Sequence, residues 1–126
     1  MNTHFILYVR DQRESSDFYS TVLDMAPILN VPGMTEFKLG ESCVLGLMPE
    51  TGIKNLLGAN LPDPCKASGI PRAEIYLVVM NCHEYYARAL KAGATAISEA
   101  AQRDWGHLVA YCMDKDGHVL AFAEDP

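Results

Sequence analysis

The sequence lacks any run of basic residues. Its 126 residues include 10 lysines and arginines against 16 aspartates and glutamates, so the formal net charge is -6. Since affinity for a nucleic-acid backbone requires clustered positive charge, this balance excludes nucleic acid as an expected partner. A negative surface suits a cationic ligand, although such a surface more often serves solubility.

Long apolar runs are also missing, and none approaches the length of a membrane span. A strand-like run begins at His4 with no basic and apolar leader before it. We therefore expect a cytoplasmic protein with no membrane partner. Apolar residues make up 49% of the chain, and its length suits one domain with its own core.

Paired cysteines are absent as well. Cys43, Cys65, Cys82 and Cys112 are widely spaced, and no two of them form a Cys-x-x-Cys motif. This spacing favours reduced thiols over a disulfide framework or a zinc site. For each thiol, an inert half-buried side chain is favoured over a catalytic nucleophile.

The first half of the chain has the pattern of a strand followed by a helix. Residues 4–9 are rich in branched and aromatic side chains, which predicts a strand. Asp11 with Glu14 forms a capping-box pattern, which predicts the start of a helix. Apolar side chains then recur at helical spacing, at Phe18, Tyr19, Val22 and Leu23.

Two short apolar runs complete this half. A loop is predicted around Pro32 and Gly33, and residues 35–39 and 43–48 form the two runs after it. The polar residues between the runs predict a hairpin.

The second half repeats this order. Residues 74–79 predict a strand, Asn81 with Glu84 repeats the capping pattern, and Gly93 is placed to end the helix. A short strand is then possible at residues 94–98. A hairpin follows, made of residues 107–113 and 118–123 around Asp116 and Gly117.

Two copies of a β-α-β-β-β unit are the simplest description of this order. The first strands begin at His4 and Glu74, 70 residues apart, and small residues in the last strands, Gly46 and Ala121, lie 75 apart. We place the first unit at about residues 1–50 and the second at about 73–126 of a single domain. Residues 51–72 are rich in proline and predict an extended connector.

The two ends of the chain resemble those of the glyoxalase, bleomycin-resistance and extradiol-dioxygenase superfamily, the vicinal oxygen chelate proteins. The opening HFILYVRDQRESSDFYSTVLDM and the closing WGHLVAYCMDKDGHVLAF carry the resemblance. Lys115 replaces the usual turn proline, which a type I turn tolerates. The resemblance implies an α+β fold in which two units form a curved, cup-like mixed sheet. It also implies a ligand inside the cup and a homodimer, with cups built within or between chains.

In metal-using relatives, the first and last strand of each unit supply side chains that bind the metal. By resemblance these places fall on His4, Glu74, Gly46 and Ala121, and the last two carry no donor atom. Because a divalent ion needs several oxygen or nitrogen ligands, we expect no cofactor and no metal of the usual kind. A displaced metal site would use His4 and Glu74 with a third ligand, for which the sequence offers Glu36, Asp104 or His107.

The resemblance also implies which side chains meet in the cup. Alternation along the first strands sends His4 and Glu74 to corresponding faces, where a carboxylate beside an imidazole could form a proton-transfer dyad. Solvent-exposed strand ends or a relic ion pair are the simpler alternative. Other residues expected to contact a ligand are Tyr8, Gly46, Tyr76, Trp105 and Ala121.

These observations favour a glyoxalase-like or bleomycin-resistance-like protein that binds a small molecule without the usual metal. Whether it catalyses a reaction is left open. The alternative is a metal-dependent lyase, isomerase or dioxygenase of the same superfamily. An interaction module with an empty cup has no positive sign in the sequence.

Overall fold

The computed structural model describes residues 1–126. The chain has the α+β fold expected from the sequence, and each half has the predicted β-α-β-β-β order. The elements are β1 (Thr3–Val9), α1 (Gln12–Leu23), β2 (Leu29–Val31), β3 (Met34–Gly40), β4 (Cys43–Pro49), α2 (Glu50–Leu57), β5 (Glu74–Val78), α3 (Cys82–Lys91), β6 (Thr95–Gln102), β7 (Leu108–Met113) and β8 (Val119–Glu124).

The chain divides into two compact units. The first comprises Met1–Ser20 and Asp24–Ser68, and the second comprises Thr21–Leu23 and Gly69–Pro126. Each unit contains a four-stranded mixed sheet, with strand orders β1-β4-β3-β2 and β5-β8-β7-β6. In each sheet the first and last strands of the unit are parallel neighbours.

The strand registers of the two units correspond. Gly46 lies beside Ile6 in the first unit, and Ala121 lies beside Tyr76 in the second. Each of these partners is two residues beyond the start of the predicted first strand. The equivalence of Gly46 and Ala121 that the sequence repeat predicts is therefore present in the backbone.

The predicted caps form at two helices. Asp11 Oδ1 accepts the Glu14 backbone N–H at the start of α1 (3.0 Å), and Asn81 Oδ1 accepts that of Glu84 at the start of α3 (3.2 Å). These carboxylate and amide oxygens satisfy N–H groups that have no partner within the helix. Gly93 follows the end of α3 with φ +107°, a conformation that favours glycine.

Two elements differ from the sequence interpretation. The loop around Pro32 and Gly33 is the turn of a hairpin whose first strand, β2, is only three residues long. A strand of three residues is too short to show the alternation of apolar and polar side chains that predicts a strand. The predicted extended connector begins instead with the helix α2, where Lys54 Nζ donates to the carbonyl oxygens of Gly58 and Leu61.

A helix packs on one face of each sheet. In the second unit, Tyr85 of α3 packs on Phe122 of β8, with ring centroids 5.7 Å apart. Because side chains alternate along a strand, Tyr76, Tyr111 and Ala121 point to the opposite side, which we call the Tyr76 face.

In the first unit, α1 contacts the sheet through Ser16, whose hydroxyl lies 2.7 Å from Thr35 Oγ1. The alternate residues of β1, β3 and β4 form the opposite side, which we call the His4 face. It includes His4, Ile6, Glu36 and Gly46.

None of the helices is both long and apolar enough to span a bilayer.

Candidate functional site

Three side chains of the second unit meet at one phenolic oxygen. Trp105 Nε1 donates to Tyr76 Oη at 2.8 Å, and His107 Nδ1 lies 2.6 Å from the same oxygen. An indole N–H is only a donor, so it uses one lone pair of the phenol. The Tyr76–His107 contact then shares one proton between an oxygen and a nitrogen. We call these three residues the Tyr76 cluster.

Arg103 stabilises the β6–β7 loop that carries Trp105 and His107. Its Nη2 donates to Ser98 Oγ at 2.7 Å and to the Val109 carbonyl oxygen at 3.0 Å. The guanidinium carbon also lies 5.1 Å from the centre of the Tyr111 ring, which is cation–π geometry. These contacts fix the loop and place a positive charge beside the Tyr76 face.

Small side chains of β8 allow Tyr76 to reach this loop. The Cα of Tyr76 pairs with Ala121, whereas its hydroxyl meets His107, which directly precedes β7. Since β8 lies between β5 and β7, the Tyr76 ring must extend across β8. Ala121 and Ala123 are fully buried, together with Val109. A ligand on this face would therefore contact the aromatic side chains rather than Ala121.

The aromatic rings of the cluster are accessible to solvent. Trp105 is 57% exposed and Tyr76 is 36% exposed, although their polar atoms are already hydrogen bonded. Large exposed aromatic surfaces with fixed orientation suit stacking on a planar molecule. Burial, followed by the Glu74 carboxylate, raises the pKa of the neighbouring Tyr111 phenol.

His4 has a partner within its own unit. Its Nδ1 lies 3.3 Å from Glu36 Oε2, and Glu36 is the cross-strand neighbour of Gly46. The His4 side chain is 47% exposed and lines a cavity of ≈ 270 Å³ with Lys38 and Val44. Glu74 belongs to the second unit and is exposed. The His4–Glu74 dyad stays a prediction, and the contact that forms is His4–Glu36.

The donors present do not fit the usual metal centre of the resembled superfamily. A Cβ at Gly46 would lie 3.1 Å from Ile6 Cγ1 and 3.2 Å from Met34 Sδ. Apolar atoms thus occupy the place where one ligand would stand. Ala121 at the corresponding place is a buried methyl group. Without donors at either last-strand place, no reaction step is assigned to a metal.

A second group of potential ligands lies in the β7–β8 turn. One ligand atom each from Asp114, Asp116 and His118 lies within 4.8 Å of the others. Asp114 Oδ1 accepts the backbone N–H groups of Asp116 and His118, both at 2.9 Å, and its Oδ2 lies 2.9 Å from His118 Nδ1. Both carboxylate oxygens of Asp114 therefore make contacts within the turn itself. The motif Asp-x-Asp-Gly-His, present in the sequence, was the available signal for this arrangement.

Two cysteines are poor candidates for catalysis. Burial raises the pKa of the Cys112 thiol to about 12. Burial, followed by the contact with Glu124, raises the pKa of Cys82 to about 11. Because the thiolate is the nucleophile, neither side chain is reactive near neutral pH. This agrees with the prediction from the sequence that the thiols are inert.

The structure brings together only part of the predicted site. Tyr76 and Trp105 are in contact, and Ala121 lies beside Tyr76 in the sheet. Tyr8 and Gly46 lie in the first unit, on the His4 face. His107, one of the three candidate third ligands, lies with Nδ1 2.6 Å from the Tyr76 hydroxyl oxygen, and its role as a metal ligand stays a prediction. Arg103 had no sequence signal of its own.

A comparison with known families agrees with this architecture. The Glyoxalase/Bleomycin resistance protein/Dioxygenase superfamily matches residues 3–122 of the chain. The match spans nearly the full length and the fold has the two expected units. The chain therefore belongs to this superfamily, and the resemblance inferred from its two ends is confirmed.

Two groups of relatives give the same result. An uncharacterized protein of Mycobacterium bovis is 28% identical over 116 residues, covering 89% of this chain and 75% of that protein. A crystal structure of a glyoxalase-related enzyme from Fulvimarina pelagi has a TM-score of 0.84 at 20% identity, covering 100% of this chain and 88% of that one. A glyoxalase/bleomycin resistance protein/dioxygenase family enzyme from Burkholderia phytofirmans has a TM-score of 0.82 at 18% identity, covering 98% and 97%. At such identities, the structural likeness concerns the fold.

Proposed function

We propose that this protein binds a small planar molecule on the Tyr76 face of its second unit, without the divalent metal centre of its metal-using relatives. The observation that carries the proposal is the pair of exposed aromatic rings whose polar atoms are fixed by the Tyr76 cluster. Rigid aromatic surfaces bind planar ligands with little loss of side-chain entropy.

The metal part of the proposal has separate support. Apolar atoms surround Gly46, and the Ala121 methyl group is buried, so a metal would lack two of its family ligands. The competing function is a metal-dependent lyase, isomerase or dioxygenase. The His4–Glu36 contact favours that alternative, because it adds a carboxylate near His4.

Ligand binding can be followed through Trp105, the single tryptophan of the chain. We expect planar aromatic compounds, supplied as a panel of cationic, neutral and anionic members, to quench its fluorescence in a saturable way. Tyr76→Phe keeps the ring but loses the hydroxyl that orients Trp105, so binding should weaken at least about fivefold. Tyr86→Phe, which changes a tyrosine of α3, is the matched control and should bind like the parent. Equal responses of the two variants would contradict the assignment of this face.

Metal content is measured on the same preparations, purified without added metal or chelator. Elemental analysis should find far less than one zinc, nickel, manganese or iron per chain. One tightly held equivalent would overturn the metal-free part of the proposal, and its loss in both His4→Ala and Glu36→Ala would place the metal at the His4–Glu36 contact.

A further inference from the structure

The hydrogen-bond inventory of Tyr76 leaves one position open to a ligand. A phenol has one donor and two acceptor sites. Trp105 Nε1 occupies one acceptor site, and the contact with His107 Nδ1, at 2.6 Å, occupies the donor when the imidazole nitrogen is unprotonated. The second lone pair of Oη is then free to accept a hydrogen bond from a ligand hydroxyl.

The same contacts provide a route for a proton. If a ligand donates its O–H proton to Tyr76 Oη, the phenol proton passes to His107 Nδ1. The ligand O–H and Tyr76 O–H bonds break, a new O–H bond forms on Tyr76, and an N–H bond forms on His107. The ligand keeps the electron pair as an oxyanion, and Tyr76 now donates to it while accepting from Trp105 and His107.

The surroundings favour this charge distribution. His107 Nε2 lies 3.9 Å from Asp125 Oδ1, so a carboxylate faces the imidazolium that forms. Arg103 places a positive charge over Tyr111 on the same face, which favours a bound anion. Glu74 lies on this face as well and opposes the anion, so the hydroxyl must reach the Tyr76 cluster rather than the start of β5.

From this geometry we propose that the Tyr76 face selects small planar molecules with an acidic hydroxyl, a phenol or an enol, and that the Tyr76–His107 pair takes up the proton of that hydroxyl. This inference rests on the proposed function, because it names the class of ligand bound at the same face. The Tyr76 hydroxyl contacts the ligand hydroxyl, and the Trp105 N–H orients the Tyr76 phenol.

The probe for this proposal is 4-nitrophenol, whose anion is coloured and whose neutral form is not. At a pH where the free probe is mostly protonated, addition of the protein should produce the absorbance of the phenolate. Tyr76→Phe should reduce this absorbance at least tenfold, and His107→Gln should also abolish most of it. Tyr86→Phe should behave like the parent.

A second probe separates proton transfer from binding. The methyl ether 4-nitroanisole keeps the planar ring but has a methyl group in place of the acidic proton, so the parent should bind it more weakly than 4-nitrophenol. Tyr76→Phe should bind the two probes with the same affinity as each other. Binding of both probes is followed by ligand-observed NMR. If both probes bind, Tyr76→Phe weakens their binding and no phenolate absorbance appears, the proton transfer is refuted and the binding function stands. If neither probe binds, the proposed function fails and this inference fails with it.

Discussion

At the residue scale, single side chains decide which chemistry the fold supports. The Ala121 methyl group removes a metal donor and also lets Tyr76 extend across β8 toward His107. The small side chain of Ala121 therefore argues against a metal site of the family type and permits the contact between Tyr76 and His107. Local charge matters more here than the net charge of -6, because exposed charges are screened beyond about 10 Å at ordinary salt.

Substitution of Gly117, in the β7–β8 turn, tests the packing of this turn against Gly69. Gly117 has φ +95°, and a Cβ there would lie 2.8 Å from the backbone carbon of Gly69. Gly106 has φ +96°, and its Cβ would meet nothing within 4 Å. Both alanine variants should lose about 1 to 2 kcal/mol from the positive φ. Gly117→Ala should lose about 2 kcal/mol more from the clash, as measured by urea unfolding.

The matched φ values make the comparison direct. If Gly117→Ala and Gly106→Ala are equally stable, the packing of the turn on Gly69 has no energetic weight. A larger loss of stability in Gly117→Ala than in Gly106→Ala would show that the β7–β8 turn stabilises the segment that leads into β5.

At the element scale, the helix caps and the repeated order of strands and helices depend on residues close together in the sequence. The pairing of strands into sheets depends on contacts between residues far apart in the sequence. The repeat offsets of 70 and 75 residues already indicate that the second unit is longer. The structure shows a long hairpin there, since β6 has eight residues where β2 has three. The loop of that hairpin carries Trp105 and His107, which contact Tyr76.

A network of hydrogen bonds around the buried Thr35 hydroxyl attaches α1 to its sheet. Thr35 is fully buried, and its Oγ1 contacts Gln12 Nε2 at 2.9 Å, Ser16 Oγ at 2.7 Å and Asn30 Oδ1 at 3.0 Å. Thr35→Val keeps the shape but removes the buried hydroxyl that these three polar groups share, so the free energy of unfolding should fall by about 2 kcal/mol.

The control for this substitution is Thr95→Val on β6, where the side chain is exposed. It should change the unfolding free energy by less than about 0.5 kcal/mol. Equal effects of the two substitutions would mean that the network around Thr35 adds nothing to stability.

At the scale of the whole molecule, we expect a homodimer. The strands β1 and β5 are at the edges of their sheets and carry Phe5 and Val78, each 61% exposed. Exposed apolar side chains on edge strands favour association with a second chain. Light scattering after size-exclusion chromatography should give a mass about twice the 13.9 kDa of one chain.

Charge substitutions test the same expectation. Val78→Lys should shift the protein toward the monomer mass at low micromolar concentration, because a lysine at the edge opposes strand association. Leu56→Lys alters an apolar residue of α2 that is 71% exposed, and it should leave the mass unchanged. A monomer mass for the parent at every concentration would show the expectation to be wrong.

The sequence by itself determined the order of elements, two helix caps, the internal repeat and the superfamily, because these depend on local spacing and on motifs at the chain ends. It also identified Gly46 and Ala121 as places without a metal donor. Only the tertiary structure decided that His4 meets Glu36 and that Tyr76 joins Trp105 and His107. Those contacts join strands and loops distant in sequence, and sheet register with side-chain reach sets which atoms meet.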